Sequence, residues 1–545
     1  MSSVLFLNGQ VFDGVRHLGQ GAVLVDGDRV VAVGDPDEVR AEAGASGRAE
    51  EVDLGGGLLT PGFLDAHMHP LVGGLERNRC EMTDLSTAEE YLDAIRTHHA
   101  DQPSEGWFRG GGWAVTAFGP GGPTAELLDQ VVPDRPAFLP SSDHHDAWVN
   151  TRALQLAGIT ADTPDPADGW FERDARGNPT GTVREGAMAM VGDHLGTTQD
   201  EYDDAMRTAQ QYLWSWGITG WHDALVGGYS GLDDPTQSYL NLLASGELRS
   251  RVRVSLWWDR HRGTEQLHDL CAERERLRAA GLDADSVKIM VDGIAETFTA
   301  AVTEPYLDLT GCRCGDRGLA FLETGPLQEA VTALDAEGFA AHFHAIGDRA
   351  VHDALDAVEA ARRANGITGN RHQAAHLQLV RPEDRDRFRA LGVTANLEGA
   401  WAHTETPAVE VLRRHLDEER LSWHYPFADI VAAGTPTAGG SDWPVNPPGP
   451  IAAVHVLVNR WAYGKQDAQK DALVPDQGLT LQQAMATYTS GTARVNGWND
   501  VGTIQVGSRA DLAVLDRDPF RGPVEEIGAA EVTTTYLAGK RVHGS

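Results

Sequence analysis

The apolar positions of this chain alternate between two rhythms. Short runs that are apolar at nearly every position recur through the middle: 63–69, 217–224, 251–258, 287–293, 339–347, 373–380, 392–398 and 435–442. Unbroken runs of this length, bounded by turn residues, predict buried strands of a parallel sheet. Between them lie charged, alanine-rich segments with helical spacing, such as LHDLCAERERLRAAG (267–281) and VHDALDAVEAARRANG (351–366). Strand then helix, repeated every ~30–50 residues, predicts an α/β fold. Eight such strands suit a closed (β/α)8 barrel, whose active site lies at the C-terminal ends of the strands.

Two regions break the pattern. The ends of the chain are β-rich: VLFLNGQVFDG, GAVLVDGDRVVAVG and AEEVDLGGGLL at the start, and VGTIQVG, ADLAVLD and VTTTYLAGKRV at the close. Chain ends often lie together, so these predict one small sheet domain. Residues 70–205 are rich in Gly, Pro, Trp and Asp, as in GWFRGGGWAVTAFGPGGP. They read as an insertion after the first barrel strand, set over the C-terminal face.

Composition narrows the function. A formal net charge of -35 repels nucleic-acid phosphates and anionic lipids, so neither is an expected partner. No run approaches the ~20 apolar residues that span a bilayer, and the start does not read as a signal peptide. A cytoplasmic location is the expectation. Cys80, Cys271, Cys312 and Cys314 are too scattered for a disulfide framework. The Cys312–Cys314 pair reads as loop thiols ahead of a zinc site. No GxGxxG after a strand and no phosphate-binding loop is present, which argues against a nucleotide-cofactor enzyme.

Candidate chemistry gathers at strand ends. His67 and His69 in PGFLDAHMHP are two residues apart on a strand, so both rings point the same way. Neutral imidazoles bind zinc, iron or manganese. Lys288 sits inside VKIMVDG, where a lone ammonium is costly and its pKa falls. It either pairs with an acid such as Asp292 or, as a neutral amine, adds carbon dioxide to form a carbamate that bridges two metals. His344, His376 and Asp442 each end a later run. Together these six have the ligand types of a two-metal site, expected to take one or two divalent ions, zinc first, per chain.

With those residues in view, the chain resembles the amidohydrolase superfamily, in particular the amidohydrolase family 3 branch that includes N-substituted formamide deformylases. LFLNGQVFDG, PGFLDAHMH, GITGWHDA, VKIMVDG, HAIGDRAV, RHQAAHLQ, GGSDWPV and GWNDVGTIQVGSRADLAVLDRDP carry the likeness along the whole chain. LPSSDHHDAWVNTRAL and GNPTGTVREGA add motifs that single out His145, Asn150 and Glu185 as pocket or cap candidates. One departure is Ala375, where the branch often has glutamate before the histidine of the sixth strand. The resemblance implies a metal-dependent hydrolase of a non-peptide C–N bond in a small-molecule amide. Asp442 would be the general acid–base and His145 the oxyanion donor. Trp107, Trp113, Trp148 and Trp170 are candidates for the pocket wall as well as for core packing, with Trp113 put first as a substrate contact. Deamination, cyclic amide or imide opening and ester hydrolysis at the same site are alternatives, and a metal-binding protein without activity is a remoter one. The expected fold is a (β/α)8 TIM barrel over 59–497 with its insertion at about 70–205. A small β-sandwich domain is built from both chain ends, 1–58 and 498–545. A homodimer is the modest expectation for assembly.

Overall fold

The computed structural model describes residues 3–46, 49–83, 85–101, 106–118, 121–142, 144–166, 168–227, 234–313, 315–465 and 468–544. Cys314 lies outside them, so the Cys312–Cys314 pair is not described; Cys312 is exposed.

All eight expected strands form. Numbered β1 to β8 in chain order, they are Phe63–Met68, Ile218–Val226, Arg251–Trp257, Asp283–Met290, Ala340–Ala345, Gln373–His376, Thr394–Leu397 and Thr437–Gly439. Each pairs in parallel with the next in sequence. The ring closes through bonds from the segment after β8: Asp442 N donates to His67 O (2.8 Å), and His69 N donates to Trp443 O (2.7 Å). The Asp65 carboxylate braces the same seam, accepting Ser441 N at 3.1 Å.

The strands are buried along most of their length because both their faces are covered. β1 and β5 are buried at every position. Burial of a side chain such as Phe63 or Phe343 contributes about 1.5–3 kcal/mol. A histidine or aspartate in the same strands contributes no such gain, so its presence there calls for a partner or a function. The helices supply the outer layer. Asp348–Asn365 buries Val351, Ala354, Leu355, Val358 and Ala361, the spacing of one helical face.

Strands from both chain ends share one eight-stranded sheet. Its junction is Leu58–Pro61, antiparallel to Leu512–Leu515 and parallel to Ser3–Phe12 on its other side. The expected strand VGTIQVG does not form. Gly502 and Gly507 take φ of 77° and 93°, which turns the chain and leaves Ile504 as a buried plug.

Between β1 and β2 lies a six-stranded sheet made of Cys80–Glu81, Phe108–Gly111, Ala137–Pro140, Asp146–Val149, Gly169–Arg173 and Pro179–Glu185. It has cores of its own, one around Tyr91, Phe108, Trp113 and Trp148. Helix Gln199–Ser215 follows, closed at its start by a Thr198/Glu201 capping box, and packs into the main barrel core. Among the described residues no helix is long and apolar enough to cross a membrane.

Candidate metal centre

The six residues singled out as ligands meet at the C-terminal rim of the barrel. The Lys288 ammonium nitrogen stands 3.1 Å from His67 Nε2. Asp442 Oδ1 lies 3.4 Å from His67 Nε2 and 3.2 Å from His69 Nε2. The His376 ring is 5.0 Å from His67 and 4.3 Å from His344, centroid to centroid. His376 and Asp442 take left-handed backbone conformations, φ 71° and 58°. Such conformations are costly for residues with a side chain and concentrate at functional sites.

A layer of acids behind the rings fixes their orientation. The His344 Nδ1 edge meets Asp292 Oδ1 at 3.3 Å. Asp292 also accepts the backbone N–H groups of Ala301, Ile346 and Gly347, so it serves His344 and not Lys288. The His376 Nδ1 edge meets Glu398 Oε2 at 2.6 Å. Proton donation from Nδ1 leaves Nε2 as the lone-pair nitrogen, the arrangement that metal-binding histidines use. The His67 Nδ1 edge is held by His342 Nε2 at 2.8 Å. His342 continues inward to Ser255 at 3.0 Å, and Ser255 to His222 at 2.8 Å. This buried polar column fills the barrel beneath the site.

Burial sets the charge states. It pushes the pKa values of His67 and His344 well below the ordinary histidine value, reinforced by Lys288 and neighbouring rings. Both rings are therefore held in the neutral form, the one in which an imidazole can bind a metal. Burial pulls Lys288 down to about 8, against the opposing pull of Asp442, Glu398 and Asp223. Burial pushes Asp442 up, but its bond to His69 and the charges of His376, His69 and Lys288 outweigh that and hold it below the usual aspartate value.

The donors fit a divalent ion. His376 Nε2 and Glu398 Oε1 are buried without a hydrogen bond among the described residues, each a cost of about 1–3 kcal/mol. Two donor groups, His67/His69/Asp442 and His67/His376/Glu398, have ligand atoms within 4.8 Å of one another. Asp292→Ala removes the orienting acid from His344. It is expected to weaken divalent-metal affinity about 10–100-fold, read by competition with a chelating dye, while leaving the far-ultraviolet circular dichroism unchanged.

The insertion contributes unevenly. His145 Nδ1 lies 3.0 Å from both Glu185 oxygens, and its ring is 6.2 Å from His344. Glu185 acts on the cavity through this histidine. Asn150 does not reach the cavity. It caps helix Thr151–Leu156 by accepting Ala153 N, also accepts Ala137 N, and donates to Val132 O and Arg135 O. Trp113 is likewise core: it is fully buried, donates Nε1–H to Leu139 O and packs edge-on against Trp148. Trp107, Trp148 and Trp170 do not line the cavity either; Trp401, beyond β7, does. Residues passed over in the sequence include Glu398, one position past β7, and Asp223 in β2. Asp223 lines the cavity, is raised to about 6 by burial, and accepts the Tyr239 hydroxyl at 2.6 Å.

The cavity over this rim is bounded by helix Pro70–Arg77, the insertion and the loops beyond β2, β4 and β7. Leu71, Leu75, Phe138, Met188, Met290 and Trp401 give it apolar walls.

A parallel barrel with imidazoles, lysine and carboxylates converging at its C-terminal rim defines a metal-dependent hydrolase. The sequence pattern of the Amidohydrolase family matches residues 50–543, and the chain belongs to that family. It is 29% identical over 534 residues to an N-substituted formamide deformylase of Arthrobacter pascens, covering 95% of this chain and 94% of that protein. It is 26% identical over 560 residues to the protein LONG AFTER FAR-RED 3 of Arabidopsis thaliana, covering 100% and 92%. In fold it is similar to an uncharacterized metal-dependent hydrolase from Pyrococcus horikoshii OT3, with a TM-score of 0.73 at 24% identity, covering 96% and 99%.

Proposed function

We propose that this enzyme hydrolyses a linear, non-peptide amide of the N-substituted formamide kind with metal-activated water. The observation that carries the reading is the convergence of His67, His69, His344 and His376 on Lys288 and Asp442, with acids orienting the rings from behind. The Arthrobacter pascens relative, named for deformylating N-substituted formamides, supports the substrate class.

His67, His69 and Asp442 would hold one ion, zinc by the donor set. His344 and His376 would hold a second, and Lys288, as a carbamate, would supply a further anionic ligand. A bound divalent ion lowers the pKa of water from about 15.7 toward 7 and polarises a carbonyl. Asp442 then takes the proton from the attacking water on its carboxylate and carries it to the leaving nitrogen. His145, with Nδ1 against Glu185, would present Nε2 to the substrate oxygen. The apolar walls seat the N-substituent and keep bulk water from the reacting carbon.

The test is a panel assayed with zinc-reconstituted protein: N-benzylformamide, N-benzylacetamide, a benzyl ester, a cyclic imide and an aminopurine. Formate release from the formamide above all other turnover is the expected result. Ammonia release from the purine, or imide opening, with the formamide inert would overturn it.

A further inference from the structure

The cavity has a second pole. Helix Pro70–Arg77 begins at His69, and Leu71, Val72, Leu75, Glu76 and Arg79 all line the cavity. Leu71, Val72, Leu75 and Glu76 fall on one helical face, so the cavity runs along the helix from the metal-binding end towards Arg79, two residues past its last turn. At 1.5 Å per residue the helix between them is roughly 12 Å long. Arg79 also borders a surface groove with Glu201 and Arg207, so it stands between the cavity and the exterior.

The charges at this pole do not balance. Arg79 Nη2 is buried and makes no hydrogen bond among the described residues. Glu201 Oε1 lies 3.7 Å from it, but that oxygen already accepts Arg109 Nη1 at 3.2 Å. The other Glu201 oxygen accepts the Thr198 backbone N–H and hydroxyl, at 2.8 and 3.1 Å. Arg109 is further engaged by Thr197 and by Leu195 O. Burial raises the Glu76 carboxyl to about 8, so it is protonated at neutral pH. Burial and the neighbouring Arg109 lower Arg79 only to about 10, so it stays charged. Two guanidiniums thus share one ionised carboxylate, that of Glu201, beside the polar pair of Glu76 and His144, whose Nε2 lies 3.5 Å from Glu76 Oε1. The overall charge of -35 repels anions at long range, so a preference for an anion has to come from local groups such as these.

We propose that this pole binds a carboxylate on the substrate, and that the preferred substrate is an amide with a carboxylate remote from the scissile bond. Arg79 is the specificity-determining residue, offering its planar fork to that carboxylate. This rests on the reading of the opposite pole as the hydrolytic metal centre.

Two hydroxamates of equal chain length test it, because a hydroxamate chelates the metal whatever the tail carries. Suberic acid monohydroxamate has a terminal carboxylate; octanohydroxamate ends in a methyl. Titration calorimetry on zinc-loaded wild type is expected to give the carboxylated ligand about tenfold to a hundredfold tighter binding. In Arg79→Gln, octanohydroxamate still binds through the metal but that advantage is lost. Arg79→Lys, which keeps the charge and most of the stem, retains part of it. Equal binding of the two ligands by wild type, or an advantage that survives in Arg79→Gln, overturns the proposal and leaves the metal centre intact. Binding of neither hydroxamate overturns the metal centre and the proposal with it.

Discussion

Lys288→Ala is expected to reduce the metal content of protein prepared with bicarbonate from two ions per chain to one or none. With it, kcat/KM on an amide should fall by roughly 10³-fold or more. The lysine is buried, 3.1 Å from His67 Nε2, with Asp442, Glu398 and Asp223 as the acids around it. Elemental analysis of both proteins decides the point, and one ion in each would remove Lys288 from the ligand set. The same residue gives a pH dependence. Its pKa is about 8 in the folded chain against 10.5 ordinarily. Between those values the unfolded state holds more protons, so stability rises with pH across that window. Below it, the buried ammonium costs its full amount, roughly 3 kcal/mol. In metal-free, carbonate-free buffer, wild type should therefore gain on Lys288→Met from pH 8 to 10.5 in urea unfolding.

Asp442→Asn is expected to lower kcat by about 10⁴-fold, the upper range for loss of an acid–base group. Asparagine keeps an oxygen for the metal but cannot take the proton. Most of the metal should therefore remain while turnover is lost, and the acid limb of the pH–rate profile should disappear. A loss below tenfold with metal retained would show that another group moves the proton.

The barrel was legible because its strands obey one rule. Most are buried runs rich in apolar residues, so His67, Lys288, His344 and His376 stand out against their neighbours. Asp442 was legible because it ends the last run. Glu398 sits at the end of GVTANLE just as the other ligands end their strands, and that position was its signal. The sequence shows an expected acid missing at Ala375; the acid that holds His376 stands just past the next strand. The column of His342, Ser255 and His222 was not legible, since each residue alone is an unremarkable polar interruption and only closure of the ring stacks them. Asn150 and Trp113 were misplaced because a motif marks a residue without saying which way it faces. Asn150 caps a helix and Trp113 fills the insertion's core. His145 and Glu185, marked by the same kind of likeness, do meet.

The junction of Leu58–Pro61 with Leu512–Leu515 has a consequence for how the chain is made. The first partner leaves the ribosome some 450 residues before the second, an interval of about 20–90 s at 5–20 residues per second. Throughout that time Leu58 and Leu59, both fully buried at the end, present an apolar strand edge with no neighbour on one side. Such an edge is a template for pairing with other nascent chains. Shielding of that edge during translation is therefore expected to raise the soluble yield. Slower synthesis, which lengthens the exposure, should lower the soluble yield unless a chaperone covers it.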